Sequence, residues 1–446
     1  MSNTVAPAPG SYRNFSISPA VLGPMHVKSS KAAQRLATLD PSGTVFAEFT
    51  ALANKHGAVN LGQGFPAIPV PKFITDAATT AVSGPGLLHQ YTRSEGHVRL
   101  AKALSAYYAD KLGRSLDPMS EILTCAGASE AIHCAMQAFI NPGDEVIIMQ
   151  PFYDCYEPSV RFAGGVPVFT SLRPPNDRPA TTSRDWKFDI DEIRAKCRRG
   201  VTKMIVLNNP HNPIGKVFTR DELESVARLA SEFDLFVLAD EVYETLNFSE
   251  APFIKFATLP GMYDRTITVG SLGKMLGITG WKIGWVLAPP AITRAIWMIH
   301  QYVPFCVATP LQEAAAVCIE HVLTKSPTYF SDTARQYARL RDRLHAHLAD
   351  VGLRPTLPDG GYFILADTSI VDVDATTATT GERRRDYAVC RELTEHALVT
   401  AIPPSAFYDA QADLSAPGRL ARFAFCKNEE MLDDAGAKLK AYFNKG

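Results

Sequence analysis

The chain contains no C-x-x-C pair and no histidine or cysteine cluster at zinc-ligand spacing, which excludes the usual redox and zinc motifs. Its eight cysteines, at positions 125, 134, 155, 197, 306, 318, 390 and 426, are scattered and read as reduced, core-filling thiols of an intracellular protein. Excess charge is missing too. Lys plus Arg number 45 against 46 Asp plus Glu, so nothing points to nucleic acid or a membrane surface as partner. No apolar run approaches the length of a membrane span. Acidic residues are absent from the stretch before Asp40, which is rich in Ser, Ala and Pro and carries Arg13, Lys28, Lys31 and Arg35. That partly fits a mitochondrial transit peptide, but arginines are few and the prolines oppose an amphipathic helix. Residues 1–34 are therefore expected to form a disordered leader of a cytoplasmic protein, with mitochondrial targeting as the alternative.

What is present is ample apolar material, 46% of 446 residues, enough for two or three domains with a large core. Helical spacing predicts a helix over 45–56, ended by Gly57, followed by a glycine-bearing loop, Asn60 to Pro66. Further helices are predicted over 100–112, 128–139 and 220–233, and strands over 121–125, 145–149, 166–171, 203–208, 235–240, 266–269 and 282–287. Apolar strands separated by helical segments imply a mainly parallel sheet covered on both faces, with ligands beyond the carboxyl ends of its strands. From Ser326 the pattern changes to a long charged helix through Leu348, then Gly360 to Ala366, an arginine triplet at 383–385 read as a solvated face, and a strand-like run over 419–426.

Three groups fall at predicted strand ends: Asn208, Asp240 with Tyr243, and Lys274. Lys274 is expected in a glycine-rich turn between two strands, flanked by Met275, Leu276, Ile278 and Trp281. Such neighbours bury the stem, disfavour the ammonium and make a nucleophilic amine accessible, as a Schiff-base lysine requires. A carboxylate at the end of an apolar strand needs a partner, and a protonated pyridine nitrogen would pair with Asp240. Asn208 and Asn212 add amides on a proline-stiffened loop. Ala128 and Ser129 begin a helix after a strand and small residues, a place for an anion, to which Ser271 and Lys282 add a hydroxyl and a cation. Tyr153 offers a ring for stacking. Each feature alone is more often structural; together they fit one ligand.

The segments Asn208 to Gly215, Ala239 to Tyr243, Ser271 to Lys274 and Gly280 to Gly284 resemble those of the fold-type I, class I and II aminotransferases. Asn60 to Pro66, Gln90 to Arg93, Pro151 to Pro158 and Ala401 to Pro403 narrow the resemblance to the kynurenine aminotransferase and cysteine-conjugate β-lyase group, over nearly all of 35–446. The resemblance implies an α/β fold. A large domain over 76–325 would hold a mainly parallel seven-stranded sheet, and a smaller α+β domain over 326–446 would pack with the segment 35–75. It implies pyridoxal 5'-phosphate bound through Lys274, and an amino acid and a 2-oxo acid such as 2-oxoglutarate as substrates. Asp240 would meet the ring nitrogen. Tyr243 and Asn212 would meet the ring hydroxyl, with Asn208 an alternative there and Asn212 able to reach the substrate. Ala128, Ser129, Ser271 and Lys282 would hold the phosphate and Tyr153 the ring. Arg422 would take the substrate carboxylate beside the backbone of Gly64. The implied assembly is a homodimer in which Tyr91 and Phe305 cross to the partner's site. Close relatives carry tryptophan and tyrosine where this chain has Phe46 and Ser129, two positions that shape the pocket for an aromatic substrate. β-Elimination on the same fold is the rival reaction. A Ser-Lys hydrolase built on Ser271 and Lys274 would also need S-D-N and K-T-G elements, and the sequence has neither.

Overall fold

The computed structural model describes residues 44–373 and 384–444; the expected leader over 1–34 lies outside them. Helix α1 (Val45–His56) buries Phe49 and Ala53 along one stripe and ends at Gly57, whose φ of 62° suits glycine. Strand β1 (Val59–Asn60), helices α2 (Lys72–Val82) and α3 (Val98–Leu112) and strand β2 (Ile122–Cys125) follow. Helix α4 (Ala128–Phe139) starts just beyond β2. The chain then alternates through β3 (Glu145–Gln150), α5 (Tyr156–Ala163), β4 (Val166–Ser171), α6 (Ile190–Lys196), β5 (Thr202–Asn208), α7 (Arg220–Phe233) and β6 (Phe236–Asp240). Helix α7 begins with a capping box in which the Thr219 hydroxyl accepts from the Glu222 amide and the Glu222 carboxylate accepts from the Thr219 amide. Strand β7 (Thr266–Ser271), the one-turn helix α8 (Leu272–Met275) and strand β8 (Gly284–Leu287) complete this part.

These strands form a seven-stranded sheet in the order β2-β8-β7-β6-β5-β3-β4. Pairing is parallel from β7 to β4, whereas β8 runs antiparallel to both β2 and β7. Successive strand residues face opposite cores, as the pleat requires. Ile148, Val206 and Leu238 pack with Met136 of α4 and Tyr156 and Val160 of α5; Ile147, Ile205 and Val237 pack with Ile193 of α6 and Val226 of α7. The expected mainly parallel, doubly covered sheet is therefore present, and its register brings Asn208 opposite Asp240 at the carboxyl ends.

Helices α9 (Pro290–His300), α10 (Thr309–Thr324) and α11 (Tyr329–Asp350) lead to a three-stranded antiparallel sheet ordered β12-β10-β9, made of β9 (Arg354–Pro355), β10 (Phe363–Asp367) and β12 (Leu420–Ala424). Between β10 and β12 come α12 (Arg385–Glu395) and β11 (Val399–Thr400), and α13 (Glu429–Phe443) closes the fold. β1 pairs in parallel with β11, which ties the segment after α1 to this part.

Three expectations change. Lys274 lies on the one-turn helix α8, which opens the twelve-residue connection 272–283 between antiparallel β7 and β8, rather than in a plain glycine-rich turn. The last strand of the large sheet starts at Gly284 rather than at 282, since Lys282 adopts a left-handed φ of 54°. Within the arginine triplet, Arg384 donates to the Ser405 carbonyl and Arg385 to the carbonyls of Thr368 and Val371, so neither is a simply solvated charge; Arg383 lies outside the described residues.

Candidate active site

A cavity of about 270 Å³ opens beyond the carboxyl ends of β5, β6 and β7, and thirteen of the fifteen residues singled out from the sequence line it. They are Phe46, Gly64, Ala128, Ser129, Tyr153, Asn208, Asn212, Asp240, Tyr243, Ser271, Lys274, Lys282 and Arg422. The other two, Tyr91 and Phe305, lie elsewhere, 83% and 51% exposed, with their rings edge to face at 5.1 Å.

Lys274 projects from α8 into this cavity with its amine over the rings of Tyr243 and Tyr362. Burial lowers its pKa to about 8, against the opposing pull of Cys426 and Asp240. The amine donates to the Tyr362 hydroxyl at 2.6 Å.

Asp240 ends β6 and is 3% exposed. Burial raises its pKa to about 6, although the Tyr156 hydroxyl donates to Oδ2 at 2.5 Å and the Val242 amide to Oδ1. Among the described residues Asp240 forms no ion pair; the charge of Lys274 acts on it only from beyond ion-pair distance.

Arg422 occupies the middle of β12, 1% exposed, and forms no ion pair among the described residues. Nη1 donates to Asn212 Oδ1 at 3.2 Å and Nη2 to the Gly62 carbonyl at 2.8 Å, while Nε is buried without a partner. Burial lowers its pKa to about 10, and the rings of Phe363, Phe407 and Phe46 surround the guanidinium. An unpaired buried guanidinium is a site for a planar anion, and a carboxylate matches it by two hydrogen bonds.

The anion end is built differently. The first N–H groups of α4 have no helical partner, and Gly127 ahead of them has a φ of 82°. A Cβ on Gly127 would lie 3.1 Å from Lys282 Nζ, so the lysine amine rests over the helix start. Gly284, the neighbour of Ser271 in the sheet, lies so close that a Cβ would come within 2.6 Å of the Ala128 nitrogen, which only glycine allows. The two asparagines divide their work. Asn208 spends its side chain on the backbone, donating to the Asp240 carbonyl and accepting from the Asn212 amide, whereas Asn212 reaches Arg422.

Sequence reading missed the supports. Tyr156 anchors Asp240, and Tyr362 anchors Lys274. The loop from Asn60 to Phe65 turns its carbonyls toward buried donors: Gly62 to Arg422, Gly64 to Tyr362, and Gln63 and Phe65 to Lys427. The glycines of this loop signalled a close approach, but nothing local named what approached.

A buried carboxylate without an ion pair, a low-pKa lysine, a helix N-terminus under a second lysine and an unpaired arginine define a site for a phosphorylated, cationic aldehyde cofactor and a carboxylate substrate. Pyridoxal phosphate fits these residues. The sequence profile described as "Aminotransferase class I and II" matches residues 57–437. The chain belongs to the class I and II aminotransferases, and it is a pyridoxal-phosphate-dependent enzyme acting on small amino and oxo acids. It is 42% identical over 419 residues to the kynurenine–oxoglutarate transaminase of Dictyostelium discoideum, covering 91% of this chain and 95% of that one. The crystal structure of Bna3p from Saccharomyces cerevisiae superposes with a TM-score of 0.86 at 31% identity, covering 92% of this chain and 98% of that one. YbdL from Escherichia coli, a methionine aminotransferase, gives 0.80 at 32% identity, covering 91% and 98%.

Proposed function

We propose that this enzyme is a kynurenine–oxoglutarate transaminase. Convergence of Lys274, Asp240 and Arg422 on one cavity carries the chemistry, and similarity to a kynurenine–oxoglutarate transaminase along nearly the whole chain supports the donor. Phe46 and Phe363 add aromatic walls beside Arg422, suited to an aromatic amino acid.

Pyridoxal phosphate, when bound, supplies the electron sink that makes the substrate Cα–H acidic. Arg422 holds the substrate carboxylate through its two-pronged donor, with Asn212 fixing one prong, and so presents Cα to Lys274. Lys274 Nζ, whose pKa of about 8 leaves a substantial neutral fraction near neutral pH and above, takes the Cα proton and later gives it back. Asp240 stays ionised against the cationic ring nitrogen and is steadied by Tyr156. Tyr243 and Asn212 would hold the ring hydroxyl, Tyr153 the ring, and Ser271, Lys282 and the N–H groups of Ala128 and Ser129 the phosphate. Phe46 and Phe363 exclude water.

The proposed assembly is a homodimer. Leu87, Tyr91, Tyr302, Val303 and Phe305 are exposed large apolar side chains, and contact between the Tyr91 and Phe305 rings supports one continuous patch. A second copy would cover this patch and extend both rings toward the neighbouring cavity.

Rapid mixing of the loaded enzyme with kynurenine or methionine, followed by 2-oxoglutarate, tests the donor. Loss of the visible band fastest with kynurenine, and its return with the oxo acid, is the expected result. Turnover of methionine alone would move the assignment to that donor, and turnover of a cysteine conjugate without any oxo acid would favour β-elimination.

A further inference from the structure

Tyr362 immediately precedes β10 and is fully buried, and it is not among the residues singled out from the sequence. Its oxygen lies 2.5 Å from the Gly64 carbonyl and 2.6 Å from Lys274 Nζ. A carbonyl oxygen only accepts, so at 2.5 Å the phenol donates to Gly64; the Tyr243 hydroxyl, the other group in reach of that hydrogen, would equally take it away from Lys274. The phenol oxygen then has only lone pairs to offer Lys274, whose N–H must be the donor. The ring cannot turn away: Tyr243 and Phe363 pack against it with centroids 5.0 and 4.8 Å distant, and Tyr337 stacks at 6.4 Å.

We infer that Tyr362 is a positioning residue for Lys274, receiving one N–H of the amine whenever it is not covalently held, so that the nitrogen lone pair faces the cavity. The inference rests on the role given to Lys274 above and assigns the residue that aims it. Gly64 completes the device, because its carbonyl fixes the phenol hydrogen and a side chain there would displace both rings: a Cβ would meet Phe363 at 2.6 Å and Tyr362 at 3.1 Å.

Removing the phenol oxygen with Tyr362→Phe takes away an acceptor for the protonated amine. The charged form is then less favoured, against an unchanged background of Cys426, Asp240, Lys282 and Arg422, with the Tyr243 ring still under the amine. Gly64 O, 3.4 Å from Nζ, remains as a longer acceptor. The titration midpoint of Lys274 should therefore fall by roughly half to one pH unit. The limiting reactivity of the free amine should fall about threefold or more, because it is no longer aimed.

The test is competitive acetylation of Lys274 by trace acetic anhydride across pH in the full-length, cofactor-stripped chain, read by peptide mass spectrometry, with the rate of pyridoxal phosphate uptake measured alongside. A lower midpoint together with slower uptake at high pH supports the inference; equal midpoints and equal limiting rates in the two proteins overturn it. If the parent takes up no pyridoxal phosphate at Lys274, the transaminase reading fails, while the acetylation comparison still decides the role of Tyr362. Should circular dichroism show that Tyr362→Phe has not folded, Gly64→Ala, which pushes the phenol aside, must give the same downward shift, and an unshifted midpoint there also overturns the inference.

Discussion

Replacing Asp240 by asparagine separates the cost of this carboxylate to the cofactor-free protein from its contribution when a cation is paired with it. Burial carries its pKa from an ordinary 3.8 to about 6. Two units correspond to about 3 kcal/mol of penalty on the ionised form. Between those values the folded chain binds more protons than the unfolded one. Stability of the cofactor-free protein therefore declines as pH rises through this window, and the full deficit is present above it. The amide of Asp240→Asn would carry no charge to desolvate. It would keep one acceptor for the Tyr156 hydroxyl but lose the charge assistance, so a net gain of about 1–2 kcal/mol is expected above about pH 7, and none below about pH 4. The assay is thermal unfolding of stripped parent and Asp240→Asn at several pH values, repeated with saturating pyridoxal phosphate. The variant should unfold later than the parent at neutral pH without cofactor, and the order should reverse with it. A gap between the two stripped proteins that does not change with pH would refute the picture of an unpaired, desolvated carboxylate.

Three other outcomes are expected. Arg422→Lys keeps the charge but loses the planar fork, and should weaken carboxylate substrates by about a hundredfold, mainly in KM, as steady-state kinetics can check. Tyr91→Ser with Phe305→Ser should shift sedimentation from dimer toward monomer and reduce turnover in proportion. Lys255→Met should destabilise the fold by about 3–5 kcal/mol in chemical denaturation, because Glu241 and Glu244 would be left as buried carboxylates without their shared cation.

Legibility from sequence followed distance along the chain. The strands around Asp240 and Lys274 are apolar runs bounded by turn residues, so their ends, and the groups on those ends, could be located before the sheet was seen. The helix over Ala128–Phe139 matched its expected span because its apolar spacing is strong and Asn141-Pro142-Gly143 stops it. Helix α8 was missed for the opposite reason: four residues hold no period. Tyr362 was invisible because its partner Gly64 is 298 residues away, and a tyrosine after two glycines looks like any strand entry. Arg384 and Arg385 read as surface charge because their carbonyl acceptors belong to distant loops. Tyr91 and Phe305 were expected from the resemblance alone; both lie outside the cavity, and nothing local to either residue marks a role.

Of the lysines at the cavity, Lys274 is the one expected to take the cofactor. Borohydride reduction of the full-length protein saturated with pyridoxal phosphate, followed by digestion and mass spectrometry, tests it without relying on turnover. The expected result is one stoichiometric pyridoxyl tag on the peptide containing Lys274 and none on those containing Lys282 or Lys427. A tag on another lysine, or none at all, would contradict it.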